Sequence, residues 1–395
     1  MTVRPTIRLL PAHARRVRAG HPWVYSNELA MDEAARALPR GTVVRVQADD
    51  GGLLGCATFN PHSLIAARLL DADAEAAIDA GWLAARLARA AALRDRLVGR
   101  PFYRLVHAEA DGLPGLVVDR FGPACVVQAN TAGMDALLPA ILEALQATVA
   151  PRTVVLRNDS GARGLEGLKP EVRVEGAAIE GPQAVEEGGL VFQADLLKGQ
   201  KTGWFHDQRD NRAFLAGLAA GARVLDGYCH TGGFGLRALA AGAAHATLVD
   251  SSEGALALAA RAAEGNGLAA RAAFVKADVF TDFQTRLDKA ERWDVVVADP
   301  PSFVKSKRDL ASGTRGYRKL ARMAAGLVEP GGFLLLASCS HNVPPDLFAE
   351  QVRRGLRDAG RTGRVLRTAG AAPDHPVHPW LPESAYLKCQ VLQLD

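Results

Sequence analysis

Arg223-Val-Leu-Asp-Gly-Tyr-Cys-His-Thr-Gly-Gly-Phe-Gly235 is the stretch that decides the fold of the second half of the chain. Its first residues predict a buried strand, Val224–Asp226, which runs into a glycine-rich turn and then into a helix. Glycines in such a turn let the backbone approach a ligand closely, and the first helical turn directs free N–H groups toward that ligand. The spacing differs from the Gly-x-Gly-x-x-Gly of nicotinamide sites. An ordinary strand–turn–helix connection has the same local pattern, so the turn alone does not establish a function.

Strand and helix patterns alternate on the carboxyl side of this turn. The predicted strands are 223–226, 246–250, 273–277, 293–298 and 332–338. Helices follow them, the one after the fourth strand from about Tyr317. Such alternation predicts a parallel sheet with helices on both faces, which binds its ligands beyond the carboxyl ends of the strands.

Acidic residues stand at the ends of the first three predicted strands. Asp226 and Asp250 end the first two strands, and Asp278 follows the third. Asp250 could accept hydrogen bonds from ribose hydroxyls and Asp278 one from an adenine amino group, although helix capping is an alternative role for each. Together with the glycine turn, they resemble the S-adenosylmethionine site of Rossmann-like methyltransferases. No Gly-x4-Gly-Lys-Ser/Thr phosphate loop occurs, as expected for a cofactor without phosphate.

The last two parallel strands end in candidate catalytic residues. Asp299-Pro-Pro-Ser-Phe303 ends the fourth strand, and Cys339 follows the fifth. Purine N-methyltransferases carry Asp-Pro-Pro followed directly by an aromatic residue, whereas Ser302 intervenes here. RNA cytosine-C5 methyltransferases usually carry a second cysteine close after the aspartate, and it is missing here. Cys339 is therefore either a nucleophile or a small buried residue.

Composition sets wider limits. The chain has 395 residues, 48% hydrophobic and 23% charged, which predicts a soluble globular protein of two or three domains. No apolar run is long enough for a membrane span, and the start of the sequence lacks an apolar signal core. Five cysteines without Cys-x-x-Cys spacing argue against a zinc site and a disulfide scaffold, and favour the cytoplasm. The net charge of +4 does not by itself indicate a nucleic-acid partner.

Three domains are predicted. Residues 1–71 consist of short strands separated by turns, which is typical of a small β-barrel. Residues 72–190 have an α+β pattern without a catalytic constellation. Residues 191–395 form the Rossmann-like domain, so the expected class is α/β.

Several motifs together resemble the rRNA large subunit methyltransferase I family. They are His21-Pro-Trp-Val-Tyr-Ser-Asn-Glu28, Lys201–Asp210, Asp299–Phe303, Arg315-Gly-Tyr317, Ser338-Cys-Ser340 and Asp374-His-Pro376. The resemblance implies an N-terminal PUA domain that binds RNA, a central α+β domain, a methyltransferase sheet with a reversed last strand, and formation of 5-methylcytidine in large-subunit (23S) ribosomal RNA. It makes Cys339 the nucleophile and Asp299 its partner. No contact with a membrane is expected, and a homodimer is a possible assembly of the protein.

The same resemblance assigns the binding residues. The cofactor, S-adenosylmethionine, would contact Phe205, Gln208, Arg209, Asp226, Gly227, Tyr228, Gly232, Gly233, Phe234, Gly235, Asp250, Ser251, Asp278 and Pro300. Residues Lys305–Arg322 hold seven basic side chains and one acidic one, an imbalance that favours a phosphate track beside the cleft. The predicted RNA contacts are His21, Trp23, Lys305, Lys307, Arg315, Tyr317 and Arg318, with Tyr317 and Phe303 stacking on an extruded base.

Two other functions stay open at this point. An RNA purine N-methyltransferase would use the Asp299-Pro-Pro loop and would need no thiol. A non-catalytic RNA-binding protein would keep the fold alone, although the intact acidic strand ends argue against it.

Overall fold

A computed structural model of the protein describes residues 4–395, so the first three residues of the predicted barrel lie outside the described residues. The chain divides into two compact units. The first contains the chain as far as Gly181, together with Leu196–Thr202 and Pro373–Ser384. The second contains Pro182–Asp195, Gly203–Ala372 and Ala385–Asp395.

The first unit begins with a five-stranded sheet. Its elements are β1 (Thr6–Arg8), α1 (Ala14–Arg18), β2 (Trp23–Tyr25), α2 (Glu33–Arg36), β3 (Thr42–Gln47), β4 (Leu53–Phe59) and β5 (Ile65–Asp71). The strand order is β1-β3-β4-β5-β2, and only the β1–β3 pair is parallel. Val24, Val44 and Phe59 form the core of this part, because each is almost fully buried.

A second five-stranded sheet completes the first unit. Its elements are α3 (Ala80–Val98), β6 (Phe102–His107), β7 (Leu116–Phe121), β8 (Ala124–Ala129), α4 (Ala132–Ala136), α5 (Leu138–Thr148), β9 (Thr153–Asn158), α6 (Ala162–Leu165) and β10 (Glu171–Gly176). The strand order is β10-β9-β8-β7-β6. Helix α3 starts where the Asp79 carboxylate accepts a hydrogen bond from the Trp82 amide, and it ends at Gly99 in a left-handed conformation. Leu83 and Leu87 lie on its buried face.

The second unit holds a seven-stranded sheet and a two-stranded hairpin. Its elements are β11 (Gln183–Glu187), β12 (Leu190–Ala194), α7 (Arg209–Ala216), β13 (Arg223–Gly227), α8 (Gly233–Ala240), β14 (His245–Asp250), α9 (Glu253–Gly265), β15 (Ala272–Lys276), α10 (Val279–Asp288), β16 (Trp293–Ala298), α11 (Leu310–Gly326), β17 (Val328–Ser338), α12 (Pro345–Asp358), β18 (Gly363–Ala369) and β19 (Lys388–Leu394). The order is β15-β14-β13-β16-β17-β19-β18, with β19 antiparallel to both neighbours. The predicted fold class and the reversed last strand are thus confirmed.

Helix α11 begins earlier than the sequence pattern predicts. It starts at Leu310 rather than near Tyr317, directly after a capping box between Ser306 and Asp309. Position 313 of this helix has room only for glycine, because a Cβ there would be 2.5 Å from the carbonyl oxygen of Phe303. Phe303 belongs to the loop that follows β16 at residues 299–304, called the Asp299 loop below. Among residues 4–395, no helix is long and apolar enough to cross a membrane.

Candidate active site

The carboxyl ends of four parallel strands bring the predicted catalytic and cofactor residues to one edge of the sheet. Strand β13 lies between β14 and β16, and β16 pairs with β17 on its other side. Asp226 lies near the end of β13, Asp250 ends β14, Asp299 follows β16 and Cys339 follows β17. The parallel register therefore gathers three carboxyl groups and one thiol at this edge.

Asp226 is a buried carboxyl group with one oxygen available. It is 1% exposed, and its Oδ2 accepts a hydrogen bond of 2.8 Å from the Gly235 amide. Its Oδ1 has no hydrogen-bond partner in the described part of the chain. Burial raises the pKa of Asp226 to about 7, the Gly235 amide opposes the rise, and the charges of Asp299 and Asp250 add to it. A cationic group placed beside Oδ1 would satisfy this oxygen and favour the ionised form.

The turn between β13 and α8 is held in a strained conformation. Tyr228, His230 and Gly232 have positive φ angles of 63°, 50° and 85°. Asp250 fixes this backbone, since its Oδ2 accepts a 2.9 Å hydrogen bond from the His230 amide and its Oδ1 one of 2.8 Å from Ser252. Two non-glycine residues of this kind in one turn cost free energy, and such strain is typical of ligand-binding turns.

Two glycines leave no room for a side chain at the start of α8. A Cβ at Gly233 would be 3.0 Å from Cδ of Arg212, and one at Gly235 would be 3.0 Å from Cγ of Leu248. Between them, Phe234 is 6% exposed. Glycine at these two positions therefore allows the first turn of α8 to pack closely against Arg212 and Leu248, and Phe234 contributes mainly to the core.

The remaining predicted cofactor residues have different surroundings. Asp278 caps α10, because its Oδ1 accepts hydrogen bonds of 3.0 Å from both the amide and the hydroxyl of Thr281. Ser251 is exposed next to Asp250, and Tyr228 is partly buried, which raises the pKa of its phenol. The carbonyl oxygen of Pro300 lies 4.0 Å from Sγ of Cys339.

The segment before α7 reaches the same edge. The side-chain amide of Gln208 donates a 3.0 Å hydrogen bond to Oδ2 of Asp299, and its oxygen accepts one of 2.7 Å from Asn211. The ring of Phe205 meets the ring of His230 edge-on, with centroids 5.0 Å apart. Gln208 and Phe205 thus contact the Asp299 loop and the strained turn, respectively.

A buried ion pair supports this segment. Glu187 accepts hydrogen bonds of 2.7 and 2.6 Å from the guanidinium of Arg212, and Arg209 lies 3.9 Å from the same carboxylate. Arg212 also donates a 2.9 Å hydrogen bond to the carbonyl oxygen of Phe205. Burial raises the pKa of Glu187, but the charge and hydrogen bonds of Arg212 outweigh this, and the net pKa is lowered.

The two serines of the Ser338-Cys339-Ser340 motif have buried side chains, and the cysteine between them does not. Ser338 and Ser340 are fully buried, whereas Cys339 is partly exposed. The hydroxyl of Ser340 lies 2.7 Å from the Tyr317 hydroxyl and 2.8 Å from that of Ser302, and it accepts a 3.3 Å hydrogen bond from the Val304 amide. The serines therefore fasten the Asp299 loop to the end of β17, and Cys339 remains accessible.

The structure contradicts the prediction that Tyr317 stacks on an RNA base. Tyr317 is 2% exposed, and its ring packs against Phe303 and Phe348 with centroids 4.8 and 5.6 Å away. Burial raises the pKa of its hydroxyl, which the hydroxyls of Ser338 and Ser340 partly offset. The early start of α11 places this residue on the buried face of the helix, so Tyr317 is a core residue.

The other predicted RNA contacts differ in accessibility. Lys305, Lys307 and Arg315 are exposed in the second unit. Arg318 forms an ion pair with Asp358 within that unit, with a distance of 2.8 Å between Nη2 and Oδ1. These four side chains remain available to phosphate groups to different degrees, since Arg318 would have to share its charge.

The first unit holds the other two predicted contacts, His21 and Trp23. His21 is 9% exposed, and its Nδ1 accepts a 3.1 Å hydrogen bond from the Trp23 amide. Burial is also the main reason that the pKa of His21 is lowered. The indole of Trp23 donates a 2.9 Å hydrogen bond to Glu109. The burial of the His21 ring gives no support to its predicted RNA contact, whereas Trp23 is partly exposed.

Comparisons with known proteins identify the family of the chain. A family model for S-adenosylmethionine-dependent methyltransferases matches residues 168–377, and a PUA-like domain model matches residues 7–72. A methyltransferase solved in complex with SAH has 20% identity and a TM-score of 0.83, with 99% of this chain and 100% of that chain covered. The fold is thus that of an S-adenosylmethionine-dependent methyltransferase with a PUA-like domain.

Full-length relatives define the family more closely. The ribosomal RNA large subunit methyltransferase I of Shewanella denitrificans is 38% identical over 387 residues, which cover 97% of each chain. That of Aeromonas hydrophila is 37% identical over 395 residues, covering 98% of this chain and 99% of the relative. The chain belongs to the ribosomal RNA large subunit methyltransferase I family.

Proposed function

We propose that the protein transfers a methyl group from S-adenosylmethionine to carbon 5 of a cytidine in large-subunit ribosomal RNA, through a covalent adduct with Cys339. The observation that carries this proposal is the placement of Cys339. It is the one cysteine of the five that is not buried, and it stands at the strand end beside the Asp299 loop. The names of the full-length relatives support ribosomal RNA of the large subunit as the substrate.

The residues at the cofactor edge fit the cationic, phosphate-free cofactor. The unpartnered Oδ1 of Asp226 would accept a hydrogen bond from its ammonium group, and the Gly232–Gly235 backbone would lie against it. Asp250 would hold the turn and meet the ribose, while Phe205 and Gln208 would cover the site from the segment before α7. When bound, S-adenosylmethionine supplies a methyl group on a positively charged sulfur, which a carbon nucleophile can take.

Carbon 5 of cytosine is a weak nucleophile, and this determines the work of the protein residues. The Cys339 thiolate would form a bond from Sγ to carbon 6, and the electron pair of the 5,6 double bond would move to carbon 5. Carbon 5 would then take the methyl group as the bond between the methyl carbon and the cofactor sulfur breaks, with that electron pair staying on the sulfur. In its protonated form, Asp299 would stabilise the adduct by donating a proton or a hydrogen bond to ring nitrogen 3. A base then removes the proton from carbon 5, the 5,6 double bond forms again, and the Sγ–carbon 6 bond breaks to release the thiolate.

RNA binding is assigned to two regions in this proposal. The exposed Lys305, Lys307 and Arg315 would contact phosphates beside the active site, since they follow the Asp299 loop directly. Residues 1–71 would act as an RNA-binding module, followed by a central domain at 72–190 and the methyltransferase domain at 191–395. The PUA-like match over 7–72 supports the first of these assignments.

A purine N-methyltransferase is the second candidate. Asp299, Pro300 and Pro301 occur in the order used by such enzymes, and the Gln208 amide bonded to Asp299 fixes one of its carboxylate oxygens. This reaction needs no thiol, so it predicts that loss of Cys339 leaves methyl transfer intact.

Product analysis separates the two reactions. Protein and labelled S-adenosylmethionine are incubated with large-subunit RNA that lacks the modification, and the digested nucleosides are separated. We expect label in 5-methylcytidine, loss of turnover in Cys339→Ala with cofactor binding retained, and normal turnover in Cys125→Ala, whose cysteine is buried in the other unit. Label in a methylated purine, or full activity of Cys339→Ala, would contradict the proposal.

A further inference from the structure

Lys388 is a buried cation without a carboxylate partner. It is 6% exposed and lies on β19, directly opposite Ser338 in the β17–β19 pair. Its ammonium donates hydrogen bonds to the carbonyl oxygens of Ser340 and, at 2.7 Å, Tyr386. No acidic side chain within residues 4–395 forms an ion pair with it. A buried lysine in such a place is costly, because two carbonyl oxygens do not replace a counter-ion.

The contacts of Lys388 place it next to the backbone on both sides of the predicted nucleophile, Cys339. The carbonyl group that it contacts belongs to Ser340, the residue after Cys339, and its partner across the sheet is the residue before Cys339. The pKa of Lys388 is lowered to about 8, because the effect of burial exceeds the opposing effect of a negative charge on Cys339. If Cys339 is ionised, its thiolate would provide an anion for this cation.

We propose that Lys388 is a positioning residue that stabilises the thiolate of Cys339 and holds the backbone of the Ser338–Ser340 turn. The inference rests on the proposed function for its catalytic meaning, although the pairing itself can be tested without RNA. An ammonium group close to a thiolate favours the ionised form, which is the form that attacks carbon 6.

Other charged and titratable groups on the neighbouring elements of the second unit enter any pH profile of Cys339. Asp299 follows β16, Asp207 precedes α7 and accepts a hydrogen bond from the Tyr386 hydroxyl, and the His341 ring stacks on Tyr386 with centroids 5.1 Å apart. Tyr317 on α11 also acts electrostatically on Cys339. Where these carboxyl groups are ionised they disfavour a thiolate, and Lys388 is a positive charge that would offset them.

The test measures the reactivity of Cys339 directly. The full-length protein is treated with iodoacetamide between pH 5 and 10, and alkylation of the Cys339 peptide is followed by mass spectrometry. The other four cysteines are buried, so the native protein reacts mainly at this position. We expect the wild-type midpoint below that of an ordinary thiol, near 8.5, and alkylation about tenfold slower at pH 7 in Lys388→Met.

Matched variants separate charge from folding. Lys388→Arg keeps the positive charge and should keep most of the reactivity. Lys319→Met removes a positive charge from α11, where Lys319 lies over the ring of Phe280 of α10, and should leave the midpoint unchanged. A wild-type midpoint at or above the ordinary thiol value would overturn the inference even if Lys388→Met failed to fold. An unshifted midpoint in a folded Lys388→Met variant would also overturn it.

Methylation assays on the same proteins keep the two proposals apart. If 5-methylcytidine forms but Lys388→Met does not alter the thiol midpoint, the proposed function stands and the role of Lys388 fails. If label appears in a purine while Lys388→Met raises the midpoint, the lysine–cysteine pair stands and the proposed function fails.

Discussion

The buried ion pair between Glu187 and Arg212 supports a quantitative prediction. Glu187→Gln keeps the shape of the side chain but replaces one acceptor oxygen by an NH₂ group that faces the guanidinium donors. Two charge-assisted hydrogen bonds, of 2.7 and 2.6 Å, become one weaker bond and one donor–donor contact. Each such bond contributes about 1.5–3 kcal/mol. Breaking a buried pair costs about 3–5 kcal/mol, so we expect the free energy of unfolding to fall by about 3 kcal/mol.

Urea denaturation followed by tryptophan fluorescence measures this loss. Trp204 reports locally, since the Arg212 guanidinium lies 4.6 Å from the centroid of its ring. The matched control is Glu350→Gln, which removes the same charge from the exposed i,i+4 pair with Arg354 on α12. That variant should lose only about 0.3–0.5 kcal/mol, and the loss should vanish in high salt.

Acid titration gives a second reading of the same pair. The pKa of Glu187 lies below its ordinary value of 4.5, so its contribution to stability is complete above that pH and is lost as the pH falls through the lowered pKa. Wild type and Glu187→Gln should therefore converge in stability at low pH. If Glu187→Gln and Glu350→Gln lose equal amounts at neutral pH, the ion pair does not stabilise this segment and the reasoning is refuted.

Three further predictions concern the site. Burial raises the pKa of Asp226 to about 7, so the folded state holds this proton more tightly and the stability of the protein falls as the pH rises from about 4 to 7. In urea titrations without cofactor, the stability of Asp226→Asn relative to wild type should therefore be greater at pH 8 than at pH 5. Identical pH profiles for the two proteins would contradict this. Gly227→Ala should lower the stability measured in thermal melts by about 1–3 kcal/mol, because the new Cβ would be 2.7 Å from Cζ of Phe283. The control is Gly331→Ala, which has open surroundings at φ +81° and should lose only about 1 kcal/mol of stability through backbone strain. Equal losses of stability in the two variants would exclude the collision with Phe283. Tyr317→Phe should lose about 1–2 kcal/mol of stability without weakening RNA binding in a filter assay, since the ring is buried; weaker RNA binding at unchanged stability would restore the stacking role.

The sequence predicts the strand ends well because they follow from local patterns. Short apolar runs that stop at an acidic residue place Asp226, Asp250 and Asp299 correctly, and the parallel alternation then requires them to share one edge of the sheet. The same reasoning brings Cys339 to that edge. These positions depend on neighbours in sequence, so little else is needed to derive them.

The residues that the sequence does not reveal are set by distant contacts. Glu187 and Arg212 meet through a hairpin and a helix whose packing no local pattern encodes. Lys388 begins a strand of mixed composition, and only the pairing of β17 with β19 places it opposite Ser338, the residue before Cys339. The sequence pattern misplaces Tyr317 for a different reason: Gly313 and Gly316 look like helix breakers, yet both face the Phe303 segment, where a side chain would not fit. For Lys388, the one signal in the sequence is a lysine within the run Leu387–Leu394, which holds no other charged residue.

The Ser338-Cys339-Ser340 turn shows why a nucleophile can be accessible and still be accurately placed. Successive side chains at a strand end point in opposite directions. Ser340 therefore reaches the buried hydroxyls of Tyr317 and Ser302, and the intervening Cys339 is left on the cleft side. The Ser340 carbonyl oxygen accepts a hydrogen bond from Lys388 on the neighbouring strand. The position of the thiol thus depends on the contacts of Ser340, and the proposed pairing with Lys388 would set its charge. In the proposed reaction, Ser340→Ala should therefore loosen the Asp299 loop and slow turnover without removing any group that touches the substrate.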